Sequence, residues 1–304
     1  MRSWRIAEYA RGVMDRRTFL AAPAAMTLAA QQAAPPKQAK VTSSVMLWTL
    51  KGSFEEKMET AAKAGLQSVE LVGEHYEWTD ADIARVKKLA RSLKLGMDTL
   101  SSVPRWGQQK LNMVEPAGRE AFLKEVERNL VFAQKLEIPM ALLMSGNAVA
   151  GLPFEQQFGA MVDCTKRCAE LAEKAGVTLI VEPLNTKVNH KGYFLSNCVD
   201  GLRLMKAVEH PRVRLLFDLY HEQVERGDVI RTALAAMPYV RVFHVADNPG
   251  RNEPGTGEMN YANIYKAIAK AGYEHYITME YIPLQEPVKS LQKAVTEMRA
   301  GLAG

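Results

Sequence analysis

The chain has 304 residues, 47% hydrophobic and 24% charged, the proportions of a globular protein. Its net charge of +5 resides in residues 1–40, where seven basic side chains face two acidic ones, so the remaining 264 residues sum to about zero. A nucleic-acid partner is therefore not expected, and three cysteines are too few for a disulfide framework.

Residues 1–40 read as an export signal and linker. Asp15-Arg16-Arg17-Thr18-Phe19-Leu20 precedes a weakly apolar, Ala-rich run to Ala30 and the polar stretch Gln31-Gln32-Ala33-Ala34-Pro35-Pro36. A twin arginine, a short apolar run and small residues form a twin-arginine-type signal. The expected location is periplasmic, or cytoplasmic if the signal does not function. The apolar run is too short to span a bilayer, so no integral membrane span is expected in the mature chain.

From residue 41 to 304, short apolar runs alternate with longer amphipathic ones. Strands are expected at 43–48, 68–72, 96–101, 140–144, 177–182, 214–218, 240–245 and 276–281. Helices are expected at 54–64, 80–93, 116–136, 153–175, 197–208, 228–236, 261–271 and 286–302. Gly65, Gly176 and Gly272 stand where helices should end. Cys164 and Cys168 fall inside a helical pattern and read as small buried hydrophobes. Eight strand–helix units in about 260 residues fit a single α/β domain of the (β/α)8, TIM-barrel class. The rival, an open doubly wound sheet, lacks its phosphate loop: Leu47-Trp48-Thr49-Leu50-Lys51-Gly52 follows the first strand without the glycine fingerprint.

In such a barrel, reactive side chains sit at the C-terminal ends of strands. Those ends in the second half are Glu182, Asp218, His244 and Glu280, each closing an apolar run. Singly, each has an ordinary reading: a surface glutamate, a helix-capping aspartate, a satisfied core histidine. Together, three carboxylates at one mouth repel one another unless a cation joins them. One nitrogen among oxygens favours Mn²⁺, Mg²⁺ or Co²⁺ over structural zinc. Around them three substrate contacts are expected: His221, three residues past Asp218; Asn185, an amide near Glu182; and Arg251, which could hold a carboxylate or hydroxyls. Glu253 and Glu258 read as loop caps or ion-pair partners. Trp48, Tyr76, Trp78 and Trp106 could wall a sugar-sized pocket, Glu70 and Glu74 could stand behind the ligands, and His190 could belong to a lid.

Several stretches are familiar together: Glu182-Pro-Leu-Asn185, Lys191-Gly-Tyr-Phe-Leu195, Phe217-Asp-Leu-Tyr-His-Glu-Gln223, residues 244–251, residues 253–261 and Met279-Glu-Tyr281. They resemble the hydroxypyruvate isomerase family within the xylose-isomerase-like barrels, with ketose 3-epimerases as relatives. The resemblance covers roughly residues 42–300. It implies Glu182 and Glu280 as metal ligands and acid/base pair, Asp218 and His244 as the other ligands, and His221 and Arg251 as substrate contacts. It further implies a divalent metal cofactor and isomerisation of a keto-acid or small ketose through an enediolate. His244 matches the epimerases and Arg251-Asn-Glu-Pro254 the isomerases, so a 3-epimerase or a keto-inositol isomerase or dehydratase stays open. So do a non-catalytic periplasmic sugar-binding barrel, a phosphodiesterase akin to apurinic endonucleases, and homo-oligomerisation.

Overall fold

The computed structural model describes residues 40–109 and 111–304; the twin-arginine stretch lies outside the described residues. Eight strands form a closed parallel barrel in chain order. They are β1 (Thr42–Met46), β2 (Ser68–Leu71), β3 (Gly96–Ser101), β4 (Met140–Leu143), β5 (Thr178–Val181), β6 (Val213–Asp218), β7 (Val240–Val245) and β8 (Tyr276–Met279). Closure is made by β1 against β8, in register from Thr42 opposite Tyr276 to Val45 opposite Met279. Parallel neighbours require a long crossover. Here α1 (Phe54–Lys63), α2 (Asp80–Leu93), α4 (Arg119–Leu136), α5 (Phe154–Ala175), α6 (Cys198–Val208), α8 (Val229–Ala236) and α9 (Tyr261–Lys270) supply them, with α10 (Pro287–Ala303) closing the ring after β8.

Local chemistry starts and stops these helices. Ser53 with Glu56, and Thr79 with Asp82, form reciprocal capping boxes at the heads of α1 and α2. Gly176 ends α5 in the left-handed region, φ 72°, where a side chain would be strained.

The differences from expectation are small. Strands β5 and β8 end one residue before Glu182 and Glu280, although the amides of these two still donate to the neighbouring strands, at Leu143 O and Val245 O, at 3.3 and 3.0 Å. The helix expected from 116 opens with a 3-10 turn, Pro116–Gly118. Two short helices were not foreseen, α3 (Trp106–Gln109) and α7 (Leu219–Glu225); at four and seven residues they are too short to show a 3.6-residue period. Cys164, Cys168 and Cys198 are buried free thiols. No helix among the described residues is long and apolar enough to cross a membrane.

A buried histidine lies in the 3-10 turn Glu74–Glu77 that follows β2. His75 Nε2 is 2.9 Å from Asn129 Oδ1, whose own amide group donates to Ser102 O and Glu125 O. Burial pushes the His75 pKa down to about 4 from 6.5. A group kept neutral by folding contributes stability above its unfolded pKa and loses it as pH falls towards the folded one. Between pH 6.5 and 4 this one side chain should therefore cost about 3 kcal/mol. Urea unfolding at both pH values should show the wild type losing about that much more than His75→Gln; equal losses would contradict the assignment.

Candidate functional site

The C-terminal ends of β5 to β8 converge as the barrel geometry requires. Glu182, Asp218, His244 and Glu280 are all buried, as are His221 and Asn185. One donor atom each of Glu182, Asp218, His221 and Glu280 lies within 4.8 Å of the others. His244 approaches the same carboxylates: its Nδ1 is 2.9 Å from Glu280 Oε2, 3.5 Å from Glu182 Oε1 and 4.0 Å from Asp218 Oδ2.

Asp218 has two tasks, one per oxygen. Its Oδ1 accepts the His221 amide at 2.8 Å and caps α7, the ordinary role of an aspartate after a strand. Oδ2 makes no hydrogen bond among the described residues and points towards the cluster. The capping and ligand readings are compatible, because the cap anchors the carboxylate that the site uses.

The charges show what the cluster lacks. Burial, then the Glu280 charge, raises the Asp218 pKa well above the usual carboxylate range. Burial also raises that of Glu182. Glu280 is opposed by the same burial, yet the Arg251 charge and His244 outweigh it and hold its pKa well below normal. Two like charges about 4 Å apart cost roughly 4 kcal/mol at the effective dielectric of a protein. Arg251 and His244 cannot offset three such carboxylates together with Glu70 behind them. A cation among Glu182 Oε1, Asp218 Oδ2 and Glu280 fits the donor set, which is oxygen-rich and suited to a hard divalent ion.

The two histidines differ in what they can offer. His221 Nδ1 accepts from the Asn185 amide at 3.2 Å, and a backbone N–H only donates. Burial drives the His221 pKa well below normal, so the ring is neutral and its single proton sits on Nε2. That nitrogen, 3.9 Å from Asp218 Oδ2, is a hydrogen-bond donor into the site with no free lone pair for a metal. His244 is turned the other way: Nε2 faces Glu70 Oε2 at 3.1 Å, and Nδ1 faces the carboxylates. Although burial opposes it, Glu70 and the site carboxylates raise the His244 pKa well above normal. The Nδ1 proton is the one a cation would displace.

Arg251 sits at the mouth in the left-handed region, φ 55°, its guanidinium 2.7 Å from Glu280 Oε1. The same oxygen accepts from Trp48 Nε1 at 2.9 Å, and the guanidinium carbon lies 5.2 Å from the Trp48 ring and 5.4 Å from Tyr220. The loop bearing Arg251 is tied to the loop after β8. Ile282 N donates to Arg251 O at 2.9 Å, and Glu253 accepts from Leu284 N and Ser290 Oγ. Glu253 is thus a clasp between two loops, and Glu258 accepts from Asn248 and Gln223.

Asn185 lies next to the cluster but is spent within the protein. Its amide contacts His221 Nδ1 and donates to Asn189, while its Oδ1 accepts from the Val188 and Asn189 amides. It orients His221 and offers no spare group to a substrate. His190 packs on His221, ring centres 5.3 Å apart. Of the aromatic residues expected at the mouth, Trp48 is there; Tyr76 is sandwiched between Arg105 and Arg128, and Trp78 packs edge-on against Phe54. The Trp106 side chain lies outside the described ones. Glu74 accepts from the Val72 and Gly73 amides in its own turn.

Two contributors were not singled out from sequence. Asp247 accepts from the Gly255 and Met259 amides at 2.7 and 3.1 Å and organises the loop after β7; its position right after an apolar strand was the available signal. Tyr193 donates to Glu182 O and accepts from Ser145 N; it lies in the family-like stretch Lys191–Leu195, which assigns it no individual role.

Comparison with known proteins agrees with this architecture. The hydroxypyruvate isomerase of Escherichia coli is 29% identical over 234 residues, spanning 76% of this chain and 88% of its own. A probable ketose 3-epimerase of Synechocystis is 27% identical over 237 residues, 75% of this chain and 78% of its own. The crystal structure of an AP endonuclease, family 2, from Brucella melitensis superposes with a TM-score of 0.74 at 25% identity, covering 83% of this chain and 96% of that one. The profile of the family described as xylose isomerase-like TIM barrel matches residues 58–300. The chain belongs to the xylose isomerase-like TIM barrel family.

Proposed function

We propose that this chain is an isomerase that moves a proton on a small α-hydroxy carbonyl compound, a hydroxypyruvate-like keto-acid or a small ketose, through an enediolate. The observation that carries the reading is the convergence of Glu182, Asp218 and Glu280 around unspent oxygens, beside a donor histidine and a guanidinium. The names of the relatives support the class, since they are isomerases and an epimerase.

The residues that would hold a divalent ion, Mn²⁺, Mg²⁺ or Co²⁺, are Glu182, Asp218, His244 and Glu280; when bound it supplies charge neutralisation and polarises the carbonyl. Glu182 and Glu280 stand on strands three apart in the ring, so they can reach a substrate from two directions. One takes the proton beside the carbonyl, and the same or the opposite one returns a proton. His221 Nε2–H donates to a substrate oxygen. Arg251, held between Trp48 and Tyr220, receives a carboxylate or hydroxyls as it exchanges its bond to Glu280.

A ketose 3-epimerase is the second reading, supported by His244 and the Synechocystis relative; it needs both glutamates, one for each face of the carbon. A sugar-binding barrel without catalysis would need no acid/base pair. The single cluster among the described residues and the near-zero charge beyond residue 40 speak against a phosphodiesterase. The twin arginine supports export, which fractionation should show as retention in the cytoplasm when Arg16→Lys and Arg17→Lys are combined; unchanged export would sink that part.

Deuterium incorporation from ²H₂O into a panel of ketoses and keto-acids, followed by NMR with and without Mn²⁺, separates the readings. Exchange should need the metal and should fall by about 10²–10⁴ in Glu182→Gln and in Glu280→Gln, with unfolding transitions close to wild type. Wild-type exchange in either variant would refute the two-carboxylate scheme.

A further inference from the structure

Behind the mouth, the barrel interior holds a second charged layer that the chemistry above does not use. Glu70, on β2, is wholly buried. Its Oε2 is 3.1 Å from His244 Nε2, and its Oε1 accepts from Thr278 Oγ1, on β8, at 2.6 Å. Both oxygens are therefore engaged as acceptors, each by a different strand. Asp98 on β3 is buried beside them, and burial followed by the Glu70 charge raises its pKa well above normal.

We propose that Glu70, held by Thr278, is the positioning residue of the metal site: it accepts the hydrogen bond from His244 Nε2–H, fixes the proton on that nitrogen, and so presents the Nδ1 lone pair to the cation. The proposal rests on the metal reading above. The geometry admits little else, because a ring rotated to put Nδ1 on Glu70 would turn its other nitrogen away from Glu182, Asp218 and Glu280, which now lie 2.9–4.0 Å from Nδ1. Carboxylate partners of ligating histidines fix tautomer and orientation, and their loss typically weakens metal affinity 10–100-fold. With His244 on β7, Glu70 on β2 and Thr278 on β8, the contact ties three strands of the barrel together, and the Thr278 hydroxyl holds the carboxylate that meets the ring.

The test is calorimetric titration of the purified full chain with MnCl₂, for wild type, Glu70→Gln, Glu70→Met and Thr278→Val. Glutamine can still accept from Nε2–H while its amide turns to Thr278, so Glu70→Gln should bind within roughly threefold of wild type. Methionine fills the volume without an acceptor and should bind about 10–100-fold more weakly; Thr278→Val should fall between. A space-filling role predicts wild-type affinity in Glu70→Met, and that result overturns the proposal, as does a Glu70→Gln protein as weak as the methionine variant. Independently of any variant, ¹⁵N NMR of the Zn²⁺-loaded wild type should show His244 Nε2 protonated; a protonated Nδ1 overturns the proposal even if the methionine variant does not fold. Wild type that takes up no Mn²⁺ at all would instead refute the metal reading itself.

Discussion

Three carboxylates buried within a few ångströms of one another are the constraint to which the rest of this site answers. Each lost its water on folding, and the protein returns only part of that solvation. Glu280 is satisfied, with Arg251 and Trp48 on one oxygen and His244 on the other. Glu182 and Asp218 are not, and burial pushes both towards protonation. An arrangement left this incomplete is costly to maintain for stability alone. It makes sense as a receptor whose last partner is a divalent ion, with the unmatched oxygens being those that the ion would engage.

The same economy governs the scaffolding. Asp218 spends one oxygen on the helix that carries His221 and keeps the other for the site. Asn185 spends every polar group on orienting His221 and its own loop. Two histidines that each approach the same Asp218 oxygen, at 3.9 and 4.0 Å, are thereby set in opposite senses, as the proposed reaction needs of a proton donor to substrate and a ligand. Their partners decide this, a backbone amide for His221 and a carboxylate for His244. Distance alone would not, since His221 also lies within ligating range of the three carboxylates.

The barrel was legible from sequence because its signals are strong and repeated: eight apolar runs, eight amphipathic ones, and glycines at helix ends. Glu182, Asp218, His244 and Glu280 were legible for the same reason, since each follows an apolar run near the C-terminal end of a strand. What could not be read were relations between distant residues. Trp48 and Glu280 are far apart in sequence yet share a hydrogen bond, as do Glu70 and Thr278; no periodicity or local motif reports such closure. Asn185 was visible as an amide beside a ligand, but that it faces inward to His221 depends on the fold of residues 185–190. The short helix α7 escaped notice because it starts directly after β6, with the last strand residue, Asp218, as its N-cap.

The most direct measurement is anomalous diffraction from crystals of the protein soaked in Mn²⁺. The account predicts one strong peak at the C-terminal mouth of the barrel, coordinated by Glu182, Asp218, Glu280 and His244 Nδ1, with His221 Nε2 outside the coordination shell. No peak among these carboxylates, or a peak ligated by His221 in place of His244, would contradict it.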